Sequence, residues 1–133
     1  MERGTTLKHL SQSNRYWLEE NRYKELKYFC LQYPEWKKQY MSLTGLSQAP
    51  ENPTQKTGHG NPTARCAIAM DELDTKMAKV EQAAKETDTI LANYILRGVT
   101  EGLSYGQLEP PCSRDTYYRY CRKFFWTLDQ IKS

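Results

Sequence analysis

Two turns in close succession are encoded by the stretch GLSYGQLEPPCSRD, residues 102–115. Gly102 is the residue type that most often ends a helix in the left-handed conformation. Ser104, with a glutamine three residues later, forms a capping box for a short helix. Pro110–Pro111 stops that helix, and Ser113 is a favoured N-cap for the residues that follow. The stretch therefore predicts a helix, a tight turn, a short helix, a second turn and a long helix.

The long last helix, at about residues 113–130, has two different faces. Its apolar positions recur at helical spacing and form one stripe: Tyr117, Tyr120 or Cys121, Phe124, Phe125 and Leu128. The polar side chains lie largely on the other side: Arg114, Thr116, Tyr118, Arg119, Arg122 and Lys123. Residues 113–123 hold four cations against one acid. This is the layout of a helix-turn-helix, at about 89–130, whose last helix enters the DNA major groove. The six polar residues are the candidate DNA contacts.

The rest of the chain predicts an all-α fold in three parts. Residues 1–44 form an N-terminal helical segment of unknown role, with helices expected at about 15–32 and 34–43. Residues 45–63 contain three of the six prolines and three of the seven glycines, which predicts a flexible linker. Residues 64–133 form a helical domain that includes the helix-turn-helix.

A heptad-like rhythm runs through the start of that domain. Its positions are spaced alternately by four and three residues: Cys66, Met70, Leu73, Met77, Val80, Ala84, Thr87, Leu91, Tyr94 and Gly98. Asp88 is a typical N-cap, so the rhythm divides into a helix at 64–86 and another at 89–101. The stripe on the helix 64–86 either joins two copies in a homodimer or packs within the monomer.

Composition excludes several classes of protein. A chain of 133 residues with 38% hydrophobic residues fits one domain and no deep enzymatic core. No apolar run approaches the ~18 residues of a membrane span, and the N-terminal residues are polar, so we expect a cytoplasmic protein. Phosphate-binding glycine loops and catalytic triads are missing, which predicts no enzyme and no cofactor.

A metal site is not expected either. The four cysteines and two histidines are scattered, whereas zinc needs clustered ligands. Three neighbouring acids, Asp71, Glu72 and Asp74, fit the solvated flank of a helix. We therefore interpret the cysteines as small buried or half-buried thiols.

About half of the chain, in two patches, resembles a family of small proteins. The strings YILRGVTEGLSY, residues 94–105, and CSRDTYYRYCRKFF, residues 112–125, look like the ArpU- and RinA-type late-gene transcriptional regulators of phages and prophages of Gram-positive bacteria. The C-terminal part of these proteins is similar to the promoter-recognising helix-turn-helix of sigma factors (region 4 of sigma-70). The string YPEWK, residues 33–37, resembles the N-terminal segment of the same family.

The resemblance implies roles for particular residues. Residues 99–104 correspond to the end of the supporting helix, and Ser113 to the start of the recognition helix. The family would then present five side chains to the groove: Arg114, Thr116, Tyr118, Arg119 and Lys123. One departure is the turn at residues 109–111, where Glu-Pro-Pro replaces the usual small apolar residue and glycine.

The resulting expectation is a sequence-specific, DNA-binding regulator of phage or prophage late genes. Double-stranded DNA would be its ligand, with a homodimer or RNA polymerase as a partner, because one small module binds DNA weakly alone. The alternative is a helical protein-interaction module, an adaptor that binds RNA polymerase or a packaging factor without touching DNA. Docking of the last helix on a membrane is disfavoured, since its polar face is mixed and Asp129 interrupts the charge.

Overall fold

A computed structural model describes residues 14–48 and 62–133, and in these ranges the chain is all-α, without strands. The six helices are α1 (Glu20–Leu31), α2 (Tyr33–Gln48), α3 (Pro62–Thr87), α4 (Ala92–Glu101), α5 (Tyr105–Leu108) and α6 (Arg114–Lys132). The all-α class predicted from the sequence is therefore confirmed. None of the helices in these ranges has the length and apolarity needed to cross a membrane.

The first helix starts later than the expected residue 15, because Asn14 forms a turn before it. The Asn14 side-chain oxygen accepts a hydrogen bond from the Tyr16 N–H at 2.8 Å, and its backbone carbonyl accepts one from the Trp17 N–H at 3.0 Å. Asparagine side chains compete in this way with helical hydrogen bonds. The chain then extends as far as Glu19, and α1 begins at Glu20.

The two ends of the segment predicted as a linker, 45–63, are helical. One isolated glycine such as Gly45 costs a helix only about 1 kcal/mol, and α2 continues through Gln48. Pro62 occupies the start of α3, where proline is tolerated. The prediction of irregular structure was wrong for 45–48 and 62–63, and residues 49–61 lie outside the described part of the chain.

One hydrophobic core is shared by the helices on both sides of that segment. It contains Leu26 and Cys30 from α1, Trp36 from α2, Val80 from α3 and Phe124 from α6. All five are at most 5% exposed. The N-terminal segment 1–44 and the C-terminal region 64–133 therefore contribute, through their described residues, to one core.

The heptad-like stripe of α3 packs mostly against other helices of the same chain. Its first members, Cys66 and Met70, are half-buried. The following ones are buried: Leu73, Met77, Val80, Ala84 and Thr87. α3 packs against α2, α4 and α6, so these side chains are covered by the chain's own helices. From Leu73 to Thr87 the stripe is therefore packed within the monomer, which is one of the two alternatives predicted from the sequence.

Three side-chain contacts fasten α1 to α6. The Arg22 guanidinium forms an ion pair with the Asp129 carboxylate. The ring of Tyr23 meets the ring of Phe125 edge-on, with centroids 5.2 Å apart. The Lys132 ammonium lies 3.9 Å from the ring centroid of Phe29. These contacts hold residues 22–29 of α1 against residues 125–132 of α6.

We expect the protein to lose stability as the pH rises from about 9 to 12. Burial raises the pKa of Tyr23 from 10.0 and that of the Cys121 thiol from 9.0, each to about 12. Burial also raises the pKa of Tyr33, whose hydroxyl donates to the Glu81 carboxylate. The folded state therefore retains protons that the unfolded state releases, and the free energy of unfolding falls above pH 9.

Urea titrations at pH 8, 9, 10 and 11 measure this effect as a falling midpoint. In the variant Tyr23→Phe the fall should be shallower, because one of the late-titrating groups is gone. A midpoint that stays constant from pH 8 to 11 would contradict the burial of these groups.

Candidate nucleic-acid interface

The local structure of residues 102–113 follows from its capping residues. Gly102 ends α4 in the left-handed region, at φ +71°. The Ser104 hydroxyl accepts a hydrogen bond from the Gln107 N–H, and the Gln107 side chain accepts one from the Ser104 N–H, so the predicted capping box is present. The Ser113 hydroxyl accepts from the Thr116 N–H at 3.2 Å and caps α6. Each of these three predictions is confirmed.

The Glu-Pro-Pro corner is anchored to the rest of the molecule. Glu109 ends α5 in the left-handed region, at φ +50°. Pro110 is buried, whereas Pro111 is exposed. The Tyr105 hydroxyl donates a hydrogen bond to the carbonyl of Cys112 and ties the corner to α5. The double proline therefore makes a fixed bend between α5 and α6.

Asp88 caps the turn that precedes α4, and not the first turn of α4 itself. Its carboxylate accepts hydrogen bonds from the N–H groups of Ile90, at 3.0 Å, and Leu91, at 2.8 Å. Residues 89–91 form a turn, and α4 begins only at Ala92. The helix predicted at 89–101 is therefore three residues shorter at its start.

The apolar stripe of α6 faces the core as predicted. Its buried residues are Tyr117, Cys121, Phe124, Phe125, Thr127 and Leu128. Of the two alternatives that the sequence left open, Cys121 is buried and Tyr120 is half-buried. Burying this stripe turns the opposite side of α6 towards solvent.

Three arginines occupy the solvent side of α6. Arg114 and Arg119 are exposed, and Arg122 is half-buried. In residues 14–48 and 62–133 none of the three guanidinium groups forms an ion pair. The Arg114 guanidinium lies over the ring of Tyr118, 5.6 Å from its centroid. Arginines without an acidic partner are available for an external anion.

The other three predicted contact residues are engaged within the chain. The Lys123 ammonium donates to the carbonyl of Thr87 at 3.3 Å, where a cation also suits the C-terminal end of α3. The Tyr118 hydroxyl accepts from the Tyr105 N–H at 3.3 Å. The Thr116 hydroxyl pairs with that of Ser113 at 2.9 Å. These hydrogen bonds show that the three side chains also stabilise the local fold of the site.

Arg15 is a cation that the sequence did not connect with this face. It precedes Tyr16, whose ring packs against Trp126 of α6. Nothing in the sequence pairs two residues so far apart along the chain, so only the folded structure reveals the contact.

The cysteines fit the interpretation given from the sequence. Cys30 and Cys121 are buried free thiols, and Cys66 and Cys112 are half-buried free thiols. Burial raises the pKa of the thiols of Cys30 and Cys121, which disfavours the reactive thiolate. Among the described residues there is no group of three or more His, Cys, Asp or Glu side chains placed to hold a metal ion.

Comparison with known proteins adds no family assignment. No protein-family model matches the chain, and we found no matching curated protein and no matching solved structure.

Proposed function

We propose that the protein is a DNA-binding transcription regulator that places the N-terminal half of α6 in the major groove of double-stranded DNA. The observation that carries this proposal is the solvent-facing set Arg114, Arg119 and Arg122, none of which has an acidic partner in the described chain. The resemblance to phage late-gene regulators suggests phage or prophage promoters as the targets.

The guanidinium groups of the three arginines can make both the base contacts and the phosphate contacts of such an interface. A guanidinium group donates two parallel hydrogen bonds to the O6 and N7 atoms of guanine, the commonest base-specific contact in the major groove. The same group binds phosphate oxygens with charge assistance. Asp115 is the one acid in residues 113–123, and it lies in the first turn of α6, where it favours the helix itself.

The surrounding structure holds α6 in a fixed position. The Tyr105 N–H donates to the Tyr118 hydroxyl of α6, the Tyr105 hydroxyl donates to the Cys112 carbonyl at the corner, and α4 packs against α6. A recognition helix must be held in this way, because base contacts depend on sub-ångström placement of the side chains. A single module with three free arginines gives weak binding, so specific recognition needs RNA polymerase or another DNA-bound partner beside it.

The test is a binding titration of the full chain on a labelled, random-sequence duplex at 50–200 mM salt. Each phosphate contact contributes about −0.9 to the slope of log K against log salt. The variant Arg119→Ala with Arg122→Ala should therefore reduce the slope by about 1.8 in magnitude while keeping the wild-type helicity. The control variant Lys37→Ala with Lys38→Ala removes the same charge from α2 and should leave the slope unchanged.

Two results would overturn the proposal. A wild-type slope near zero would show that no phosphates are bound, which is the result expected of a protein-interaction module. Equal slopes for the wild type and the α6 double variant would show that DNA binds another face.

A further inference from the structure

The turn at residues 14–16 is docked on the solvent side of α6. The Tyr16 ring meets the Trp126 ring edge-on, with centroids 5.6 Å apart and planes at 67°. The Asn14 side chain shapes the turn by accepting the Tyr16 N–H. Both aromatic side chains are half-buried. An edge-on aromatic pair stabilises a contact beyond the effect of its buried area, so it helps to hold the short turn in place.

Trp126 shares its helix face with two of the free arginines. It follows Arg122 by four residues and Arg119 by seven, the spacing of side chains on one side of a helix. The docked turn is therefore continuous with the arginine face of α6. Arg15 lies in this turn with an exposed side chain, its guanidinium 5.2 Å from the Tyr16 ring centroid.

No acid offsets Arg15 in the described structure. It forms no ion pair there, as is also true of the arginines on α6. Asp129, the acid on the neighbouring turn of α6, forms an ion pair with Arg22, which also pairs with Glu25 at 2.9 Å. Glu20 is paired with Lys24 at 3.2 Å. Arg15 is therefore a cation without an ion-pair partner in the described residues, as a contact to an external phosphate requires.

We propose that Arg15 is a DNA-phosphate contact, and that Tyr16 is the positioning residue that holds it on α6; this inference rests on the proposed function. From Arg114 to Trp126 is twelve residues, or about 18 Å along a helix. The major groove is only about 12 Å wide, which is less than this length of helix. When the N-terminal end of α6 lies in the groove, Trp126 therefore lies at the edge of the groove. Phosphates form that wall, and Arg15 sits at this end.

The experiment compares four single variants of the full chain in the same salt titration. Arg15→Ala should make the slope of log K against log salt shallower by about 0.9. Between 50 and 200 mM salt the variant should therefore lose affinity by a factor about 3.5 times smaller than the wild type does. Arg15→Lys keeps the charge and should keep the slope. Tyr16→Ala releases the turn and should reproduce the Arg15→Ala slope, whereas Tyr16→Phe keeps the ring and should restore the wild-type slope.

The outcomes separate this inference from the function on which it rests. If Arg119→Ala with Arg122→Ala flattens the slope and Arg15→Ala does not, the Arg15 contact is refuted and the DNA-binding proposal stands. If neither change affects the slope, both are refuted. The positioning role is refuted if Tyr16→Ala keeps the wild-type slope while the tryptophan fluorescence of this variant shifts to the red, as expected when release of the turn exposes Trp126 and the neighbouring Trp17 to water.

Discussion

Phe124→Ala is expected to lower the free energy of unfolding by about 3–5 kcal/mol. Phe124 has no solvent exposure, and its ring meets that of Phe125 edge-on at 5.1 Å. It belongs to the core that α6 shares with α1, α2 and α3, so the truncated side chain leaves a cavity in that core. Domains are typically stable by only about 5–15 kcal/mol, so this single change removes a large share of the total. Urea denaturation followed by circular dichroism measures the loss.

The same experiment tests whether the N-terminal helices belong to one cooperative unit. Trp36 lies in α2 and Trp126 in α6, so tryptophan fluorescence reports on both parts of the chain. We expect its transition to coincide with the loss of helicity, in the wild type and in Phe124→Ala. Tyr28→Ala is the control, since that ring is 59% exposed and its removal should cost less than about 0.5 kcal/mol. Two separate transitions would contradict the shared core.

Gly98→Ala is expected to destabilise the protein by about 1–3 kcal/mol, although alanine is the better helix former. A Cβ atom on Gly98 would lie 2.3 Å from the hydroxyl oxygen of Tyr117 and 3.0 Å from the Cδ1 atom of Leu108. Tyr117 is only 2% exposed, so its ring has little space into which to move. α4 would have to shift away from α5 and α6, which also disturbs the candidate interface.

Gly45→Ala provides the matched control in the same protein. Gly45 also lies inside a helix, but nothing is within 4 Å of the position of its added Cβ atom. This substitution should stabilise the protein by up to about 1 kcal/mol through helix propensity alone. Thermal melts of the two variants should therefore move in opposite directions. A Gly98→Ala melt that rises as much as that of Gly45→Ala would show that α4 and α6 are not in close contact.

The features predicted correctly from the sequence depend on short-range interactions. The Ser104 capping box, the Gly102 helix end and the Ser113 cap each join residues at most four positions apart. The apolar stripe of α6 depends on the 3.6-residue period alone. Such patterns specify where helices end and which side is buried, without information from the rest of the fold.

The features that the sequence missed depend on distant residues. Lys123 donates to a carbonyl 36 residues away, and Tyr118 accepts from a backbone N–H 13 residues away, so each has a contact within the fold that local sequence does not indicate. The spacing of the apolar residues on α3 is the same whether they pack in a homodimer or within the monomer, so the sequence could not distinguish the two alternatives. Gly98 has no side chain to bury in the heptad-like pattern, and only the structure explains its place: the Tyr117 hydroxyl lies in the space that a Cβ atom would need.

The most direct test of DNA binding through α6 is a titration of the ¹⁵N-labelled protein with a short DNA duplex, followed by amide chemical shifts. The proposed interface predicts that the largest changes fall on Ser113, on residues 114–122 of α6 and on the turn at 14–16, and that they decrease as salt is raised. Changes concentrated on α2 and α3, with α6 unaffected, would contradict it.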